Sequence, residues 1–317
     1  MTSLVTFGET MLRLSPPAGQ RLSRVDCFDV HVGGAESNVA AAASTFGVDA
    51  AWLSALPETD LGERIVSALR AEGVEPVVTW TETGRVGTFY FEPGGKPRGQ
   101  AVVYDRTGTP VRDLTPGDLP LDRVRDADLF FTTGITPALS DRLATTTGEL
   151  FSTASDAGVP TAFDLNYRSN LWSPAEARET LTALFPAIDV LFVAERDARG
   201  VLGRSGDPEP MARSLADDHG LETVVLTRGD RGALAVDDGT CHDQQAFETE
   251  TVDPVGSGDA LVGGYLARRL VGHSVPDALA YGVATAALKR TVEGDMARLS
   301  AEEVTALVAG DGAGLDR

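Results

Sequence analysis

The sequence has little lysine, little cysteine and no long apolar run. Its 317 residues include two lysines, Lys96 and Lys289, and two cysteines, Cys27 and Cys241, whose positions match neither a disulfide framework nor a metal-binding spacing. No stretch approaches the roughly 18 consecutive apolar residues that a membrane span needs, and the N-terminus shows no basic and apolar export signal. We therefore expect a cytoplasmic protein with no membrane partner.

Positive charge is also scarce. The chain carries 47 acidic and 27 basic residues, giving a formal net charge of −20. A surface this negative repels phosphates, which argues against nucleic acid as a partner. The acids are dispersed rather than gathered in a tail, and together with the rarity of lysine this is typical of halophiles, where concentrated salt screens self-repulsion. An ordinary acidic enzyme is the other interpretation.

Apolar β-type runs alternate with helical patterns along most of the chain. Hydrophobic residues make up 42% of the sequence, enough for a substantial core. This alternation predicts an α/β fold, with a parallel sheet covered by helices on both faces. The predicted strands are 4–7, 51–53, 129–131, 160–163, 190–193 and 224–226, and the clearest helices are 36–46 and 61–69.

One segment breaks this alternation. Residues 88–92 and 100–104 are strand-like and flank the sequence Pro-Gly-Gly-Lys-Pro, which predicts a β-hairpin. A small β-flap over the main sheet is the functional interpretation, because such flaps often cover active sites. A peripheral hairpin without function is the alternative.

The most informative motif is Asp-Pro-Val-Gly-Ser-Gly-Asp at 253–259, which leads directly into an apolar helix. Small residues at a helix start leave backbone N–H groups open to an anion, so Gly256, Ser257 and Gly258 are predicted to form an anion hole. Asp259 lies beside these donors and suits a general base that accepts a proton from an attacking hydroxyl. The alternative is a glycine-rich turn in which Asp259 only caps the helix.

A second motif, Gly-Gly-Ala-Glu-Ser-Asn at 33–38, enters an alanine-rich helix. The double glycine permits close approach of a ligand, and Asn38 offers both a donor and an acceptor to a polyol. No Gly-Lys-Ser/Thr loop and no early Gly-x-Gly-x-x-Gly is present, so phosphate chemistry would use a different scaffold from those two motifs.

The pair of motifs resembles the PfkB, or ribokinase-like, family of carbohydrate kinases. The resemblance spans nearly the whole chain. It implies one ribokinase-like three-layer α/β sandwich over residues 1–317, with a small β-sheet lid formed mainly by 10–16 and 86–108. It also implies ATP and Mg²⁺ as cofactors, leaves open a monovalent cation such as K⁺, and implies a homo-oligomer that pairs through the lid.

Within that family, the segments at 7–14, 33–36, 134–140 and 164–173 resemble the 2-keto-3-deoxygluconate kinases. The resemblance implies phosphorylation of the C6 hydroxyl of 2-keto-3-deoxygluconate, and leaves open the galactonate-derived epimer. A guanidinium binds a carboxylate in a defined direction, so the arginines of this pattern suit a sugar acid as the ligand. The sugar-acid residues it implies are Gly34, Glu36, Asn38, Tyr90, Tyr104, Arg106, Arg168, Asp259 and Asp295.

The nucleotide half of the resemblance is less specific. It implies an ATP site at Asn166, Thr227, Arg228, Gly229, Asp230, Gly232, Ala233, Gly256 and Gly258. The family often carries Asn-x-x-Glu where this chain has Ala-Glu-Arg-Asp at 194–197. Asp197 is therefore the first candidate to organise the waters of Mg²⁺, and Glu195 is the second.

Three other functions remain open at this point. A kinase of the same family acting on a neutral sugar, such as a fructokinase or ribokinase, is the nearest. A nucleotide-dependent dehydrogenase would need the missing Gly-x-Gly-x-x-Gly fingerprint. A sugar-sensing protein without catalysis would not need the Gly-Ser-Gly-Asp helix start.

Overall fold

The computed structural model describes residues 3–94 and 97–310; Gly95 and Lys96, in the turn of the predicted hairpin, lie outside the described residues. The strands in these ranges are β1 (Ser3–Phe7), β2 (Met11–Ser15), β3 (Asp29–Gly33), β4 (Asp49–Pro57), β5 (Val74–Thr81), β6 (Thr88–Glu92), β7 (Ala101–Asp105), β8 (Leu129–Thr133), β9 (Thr161–Asp164), β10 (Val190–Ala194), β11 (Thr223–Thr227), β12 (Ala233–Asp237) and β13 (Thr240–Gln244). The helices are α1 (Ala35–Ser44), α2 (Asp60–Ala71), α3 (Leu121–Arg125), α4 (Asp141–Asp156), α5 (Pro174–Thr182), α6 (Glu195–Gly200), α7 (Pro208–His219), α8 (Ser257–Leu270), α9 (Val275–Lys289) and α10 (Ala301–Ala309).

Nine strands form one large sheet in the order β13-β12-β11-β10-β9-β8-β1-β4-β5. The seven strands from β11 to β5 are mutually parallel, and β12 and β13 extend the sheet as an antiparallel edge. The predicted mostly parallel sheet is confirmed, and each predicted strand lies within a strand of the structure or overlaps one.

A separate four-stranded sheet has the order β3-β2-β6-β7, and we call it the small sheet. The hairpin of β6 and β7 is present, and β2 joins it in parallel. The sequence analysis overlooked β3, which pairs antiparallel with β2 and widens the sheet beyond 10–16 and 86–108. The alternation of Val30 and Val32 with polar residues was the available signal, since both valines pack against the main body.

Side chains of the large sheet alternate between two helical layers. On β8, Phe130 packs with the layer of α4, α5 and α7, whereas Phe131 packs with α8 and α9. Because both faces are covered, the strands are apolar throughout, which is why they appear in the sequence as continuous hydrophobic runs. None of the described helices is long and apolar enough to cross a membrane.

Glycines let three helices on one face pack with their backbones close together. A Cβ on Gly263 of α8 would overlap Ala42 and the carbonyl of Val39 in α1, and a Cβ on Gly282 of α9 would crowd the carbonyl of Leu261 in α8. This close packing fixes the N-terminal end of α8 beside α1, and so positions the site described next.

Candidate active site

A cavity of about 750 Å³ lies at the carboxyl ends of the parallel strands, where α/β sheets usually bind ligands. The small sheet forms one wall through Phe89, Phe91 and Val102, and the N-terminal turn of α8 forms another. The tertiary structure brings thirteen of the predicted site residues to this cavity: Gly34, Asn38, Tyr104, Arg106, Asn166, Arg168, Asp197, Thr227, Gly256, Ser257, Gly258, Asp259 and Asp295.

A second cavity of about 530 Å³ adjoins the first and shares Ala194, Arg196 and Thr227 with it. Arg228 and Gly229, predicted to contact ATP, line this second cavity. The two cavities together offer adjoining volumes for two small molecules, which meet at Ala194, Arg196 and Thr227.

Residues 256–258, which the sequence predicts to form an anion hole and which we call the anion-binding turn, begin α8. Gly256 has a φ of +79°, and a Cβ there would also overlap the carbonyl oxygen of Asp295, so this glycine is required by backbone shape and close packing. Gly258 differs, because a Cβ on it would meet nothing within 4 Å and would project into open space. The turn therefore contains one glycine needed by the fold and one that lines the cavity with open space at its Cβ position.

Asp259 follows this turn and also lines the cavity. Asn38 of α1 donates from Nδ2 to Oδ2 of Asp259 at 2.7 Å, while the buried Oδ1 of Asn38 has no partner among the described residues. Burial raises the pKa of the Asp259 carboxyl above its ordinary value, and the bond from Asn38 opposes that rise. Asp259 is therefore an oriented carboxylate of increased basicity, and it lies next to the Asn38 Oδ1 acceptor, which has no partner among the described residues.

Sequence reasoning missed Asp164 as a site residue. This last residue of β9 lines the cavity, and its carboxylate accepts a bond from the backbone N–H of Asn166 at 3.1 Å. Burial, reinforced by the charge of Asp259, raises the pKa of Asp164 to about 7. An acidic residue at the carboxyl end of a predicted parallel strand was the signal that could have identified it.

Two arginines predicted to hold a carboxylate differ in their partners. Arg106 forms a buried ion pair with Glu9, with Nε at 2.9 Å from Oε2, and lies over the Tyr104 ring. Arg168 makes one weak bond, from Nη1 to the carbonyl of Tyr167 at 3.4 Å, and has no carboxylate within ion-pair distance in the described parts of the chain. Arg168 is thus the guanidinium that lines the cavity without a paired charge.

Two predicted sugar-acid residues do not reach the cavity. Tyr90 lies between Phe89 and Phe91 on β6, and because side chains alternate along a strand it faces the opposite side, where it packs edge-on against Phe28. Glu36 is buried in α1 behind the cavity wall, where its Oε1 accepts bonds from the hydroxyls of Thr133 and Thr136. Both side chains support the walls from behind.

The burial of Glu36 predicts a pH-dependent stability. Burial raises its pKa from 4.5 to about 7. The protonated form stabilises the fold, and this contribution is lost as the pH rises from about 4.5 through 7. Glu36→Gln keeps the Oε1 acceptor but cannot ionise. Relative to the natural protein, the variant should gain on the order of 3 kcal/mol of unfolding free energy between pH 5 and pH 8, measured by denaturant titration.

Glu63→Gln, exposed on α2, controls for the loss of one acidic charge and should leave the pH dependence unchanged. An equally steep pH dependence in Glu36→Gln and the natural protein would contradict the elevated pKa. A large rise in the KM for a sugar acid would instead place Glu36 in contact with substrate.

The predicted nucleotide segment 227–233 is held by its own side chains. Arg228 pairs with Asp243 at 2.7 Å and donates to the carbonyls of Arg231 and Ala233, so its guanidinium secures the turn between β11 and β12. Asp230, Gly232 and Ala233 do not line either cavity. Within this segment, Thr227, Arg228, Gly229 and Arg231 line the cavities and can therefore meet a ligand.

The two metal candidates have different surroundings. Glu195 is paired with Arg199 at 2.8 Å and with Arg231, and these arginines lower the pKa of its carboxyl. Asp197 lines the first cavity, and burial raises its pKa although Arg196 donates to it at 3.2 Å. Within residues 3–94 and 97–310, no three His, Cys, Asp or Glu side chains cluster as a metal site.

Asp295 lines the cavity but is already engaged. Its carboxylate accepts a bond from Arg13 of β2 at 2.9 Å, and Arg13 also contacts Asp253, just before the anion-binding turn, at 2.5 Å. Burial raises the pKa of Asp295 to about 7 against the opposing effect of Arg13. The pair ties the small sheet to the segment that carries the turn.

Comparison with known proteins agrees with this geometry. The sequence model of the pfkB family carbohydrate kinases matches residues 1–302. The 2-dehydro-3-deoxygalactonokinase of Haloferax volcanii is 54% identical over 314 residues, covering 99% of each chain. The 2-dehydro-3-deoxygluconokinase of Thermoproteus tenax is 31% identical, covering 93% of this chain and 90% of that one. The crystal structure of the 2-dehydro-3-deoxygluconokinase of Thermotoga maritima superposes with a TM-score of 0.93 at 32% identity, covering 98% of both chains.

Proposed function

The chain belongs to the pfkB family of carbohydrate kinases, and from this premise we propose that it phosphorylates the C6 hydroxyl of a 2-keto-3-deoxy sugar acid at the expense of ATP. The family and the three-layer fold predicted from the sequence are confirmed. The substrates we propose are 2-keto-3-deoxygluconate and its galactonate-derived epimer, the acids that also carry the prefix 2-dehydro-3-deoxy and appear in the names of the relatives.

The observation that carries the choice of a sugar acid is the unpaired guanidinium of Arg168 in the cavity. A buried or half-buried positive charge favours an anionic ligand, and a guanidinium can hold a carboxylate through two parallel bonds. Arg106 supplies no such charge, because Glu9 already neutralises it. Arg168 would therefore bind the C1 carboxylate of the acid, and Asn38 Oδ1 would accept a bond from a sugar hydroxyl.

Asp259 is the proposed general base. One carboxylate oxygen is held by Asn38, which leaves the other to accept the proton of the C6 hydroxyl. The C6 oxygen then forms a bond to the γ-phosphorus while the bond from that phosphorus to the β,γ-bridging oxygen breaks, and ADP departs with the electron pair. The raised pKa of Asp259 increases its affinity for the proton at this step.

The anion-binding turn would stabilise the charge on the transferred group. The first residues of a helix have backbone N–H groups without intrahelical partners, and the helix dipole adds positive potential there. Donors fixed in this way stabilise a moving phosphoryl group without reorganising during the reaction. The small sheet would limit water at this point, since it forms a wall of the same cavity.

The donor set fits Mg²⁺ that arrives with ATP. Mg²⁺ is usually bound by one or two carboxylates together with substrate phosphates and water, and Asp197 and Asp164 are cavity carboxylates of raised pKa. When bound, Mg²⁺ supplies charge neutralisation of the phosphate oxygens. Asn166 and the backbone of 227–229 would contact the nucleotide across the two cavities.

Two expectations about the whole protein stay predictions. The first is a cytoplasmic location, where ATP is present. The second is a homo-oligomer paired through the small sheet, and its outward face does carry three apolar or aromatic side chains: Phe28, Tyr90 and Val103.

A substrate panel tests the proposal directly. ADP formation would be measured in concentrated KCl with both 2-keto-3-deoxy acids, and with fructose and ribose as uncharged analogues. We expect kcat/KM for the acids to exceed that for the neutral sugars by at least about 100-fold. A preference for fructose or ribose would identify a neutral-sugar kinase, and no ADP with any sugar would indicate a non-catalytic protein.

Two glycine substitutions separate the fold from the chemistry of the turn. Gly258→Ala should leave thermal stability unchanged or slightly raised, because alanine favours helix and its Cβ meets no neighbour, yet kcat should fall by about 10- to 100-fold as the methyl group enters the anion site. Gly256→Ala should lower stability as well, because the backbone at this position has a positive φ and the new Cβ would overlap the carbonyl oxygen of Asp295. Equal kcat in Gly258→Ala and the natural enzyme would remove the turn from the mechanism.

A further inference from the structure

Lys289, one of two lysines in the sequence, is completely buried at the C-terminal end of α9. Its Nζ donates to the carbonyl oxygen of Asp253 at 3.1 Å and to that of Val292 at 3.2 Å. Burying an ammonium is costly unless it is paired, so its retention in a chain that otherwise almost lacks lysine needs an explanation. The mechanism described above does not use it.

The carbonyl groups that receive the ammonium belong to the two segments that frame the anion-binding turn. Asp253 stands three residues before Gly256, and Val292 stands three before Asp295, whose carbonyl oxygen Gly256 closely approaches. The same two segments are joined by the N–H of Gly294, which donates to the Asp253 carboxylate at 3.1 Å. Lys289 thus bridges both segments directly beside the turn.

Two basic and two acidic side chains meet here. Arg13, Lys289, Asp253 and Asp295 all have 5% or less of their surface exposed. Burial lowers the pKa of the Lys289 ammonium, and the charges of Asp253 and Asp295 oppose that fall. The Asp253 carboxylate is already committed to Arg13 and to backbone N–H groups, so the ammonium is held by carbonyl oxygens rather than by a carboxylate. Lys289 is also close enough for its charge to lower the pKa of Asp259.

The two carbonyl oxygens around the ammonium are ligands of the kind that a monovalent metal ion uses. Carbonyl oxygens replace the hydration shell of K⁺ where proteins bind it, and a protonated amine carries the same charge. The Lys289 ammonium already occupies the position beside the carbonyl oxygens of Asp253 and Val292 where such an ion would bind. These residues therefore do not fit a separate K⁺ ion, which the family resemblance had left open.

We propose that the Lys289 ammonium is an internal cation that fixes the anion-binding turn, so that this chain needs no monovalent metal ion for activity. Lys289 is a positioning residue, because it contacts the backbone of the turn-bearing segments and not the reacting atoms. The catalytic part of this inference rests on the proposed function, whereas the ordering of the turn does not.

The first experiment compares the natural protein in KCl and in tetramethylammonium chloride at equal concentration and ionic strength. The tetramethylammonium ion is too large for a carbonyl site and has no N–H donor. We expect kcat to agree within about twofold, and hydrogen exchange of the amides at 253–261 to be equal in the two salts. A K⁺-specific rise of fivefold or more in kcat, or K⁺-dependent protection of this segment, would overturn the proposal.

The second experiment uses Lys289→Ala, which removes the atoms of a propylammonium ion. In tetramethylammonium chloride its kcat should fall by about tenfold or more with little change in the KM for the acid, and protection at 253–261 should decrease. Added propylammonium or K⁺ should restore both in a saturable manner. Lys289→Met should show the same loss without rescue by propylammonium, because its side chain fills the space. Natural kcat and natural protection in Lys289→Ala would contradict the role.

Arg290→Met is the matched control. It removes a positive charge from the adjacent residue, whose guanidinium donates to the Thr251 hydroxyl at 2.5 Å and not to the turn-bearing carbonyls. It should retain kcat and protection in both salts.

If Lys289→Ala does not fold, the comparison of the natural protein in the two salts still tests the proposal. If the natural protein phosphorylates no sugar, the proposed function fails, while the exchange measurements continue to test the internal cation.

Discussion

Replacement of Asp259 by asparagine is expected to lower kcat by about 10³-fold while the KM for ATP changes little. Asparagine is nearly isosteric and its Oδ1 can still accept the bond from Asn38, so the packing of α1 against α8 should persist. It cannot accept the proton of the C6 hydroxyl, so only the rate of transfer is lost. Steady-state kinetics with the acid that gives the higher kcat/KM would measure this.

Asp141→Asn is a suitable control, because Asp141 is an exposed aspartate that also lies in the first turn of a helix, α4, and does not line the cavity. It should behave as the natural enzyme, and thermal unfolding should show both variants folded. A kcat for Asp259→Asn within tenfold of the natural value would show that another group accepts the proton.

Replacement of Arg168 by glutamine should raise the KM for the sugar acid by about 100-fold, the effect of losing charge-assisted bonds to a carboxylate. The KM for ATP and the slow turnover of neutral sugars should change much less, because neither depends on that carboxylate. The preference for acid over neutral sugar should therefore collapse in this variant. The measurement is kcat and KM for each substrate of the panel.

Arg106→Gln provides the comparison between the two arginines. Its guanidinium is paired with buried Glu9, so its removal should leave an uncompensated carboxylate and lower the unfolding free energy by about 3 kcal/mol or more. The preference for the acid should survive. If Arg168→Gln keeps its KM for the acid and Arg106→Gln loses it, the carboxylate site belongs to Arg106.

The small sheet shows where sequence reasoning succeeds and where it stops. The hairpin of β6 and β7 is predictable because two strand-like runs flank a turn-forming segment. Tyr104 reaches the cavity and Tyr90 does not, because Tyr104 pairs with Phe89 across the strands whereas Tyr90 pairs with Val103 on the other face. Local sequence gives the alternation, but which face covers the cavity depends on how the sheet docks against the main body.

The ion pairs also could not be predicted from the local sequence. The sequence presents Arg13, Arg106 and Arg168 as equivalent cations, yet the fold gives the first two buried acidic partners and leaves the third without one. The pairing of Arg13 with Asp295 joins residues 282 positions apart. No pattern of spacing along the chain carries that information.

The sequence by itself determined the α/β class and the prediction of an anion-binding helix start with its aspartate, because hydrophobic periodicity and small residues at a helix start act over a few neighbouring residues. The tertiary structure alone decided which charges are neutralised, which carboxyls have raised pKa values and which side chains face the cavity. Those properties depend on burial and on contacts between distant segments, which exist only once the layers have packed together.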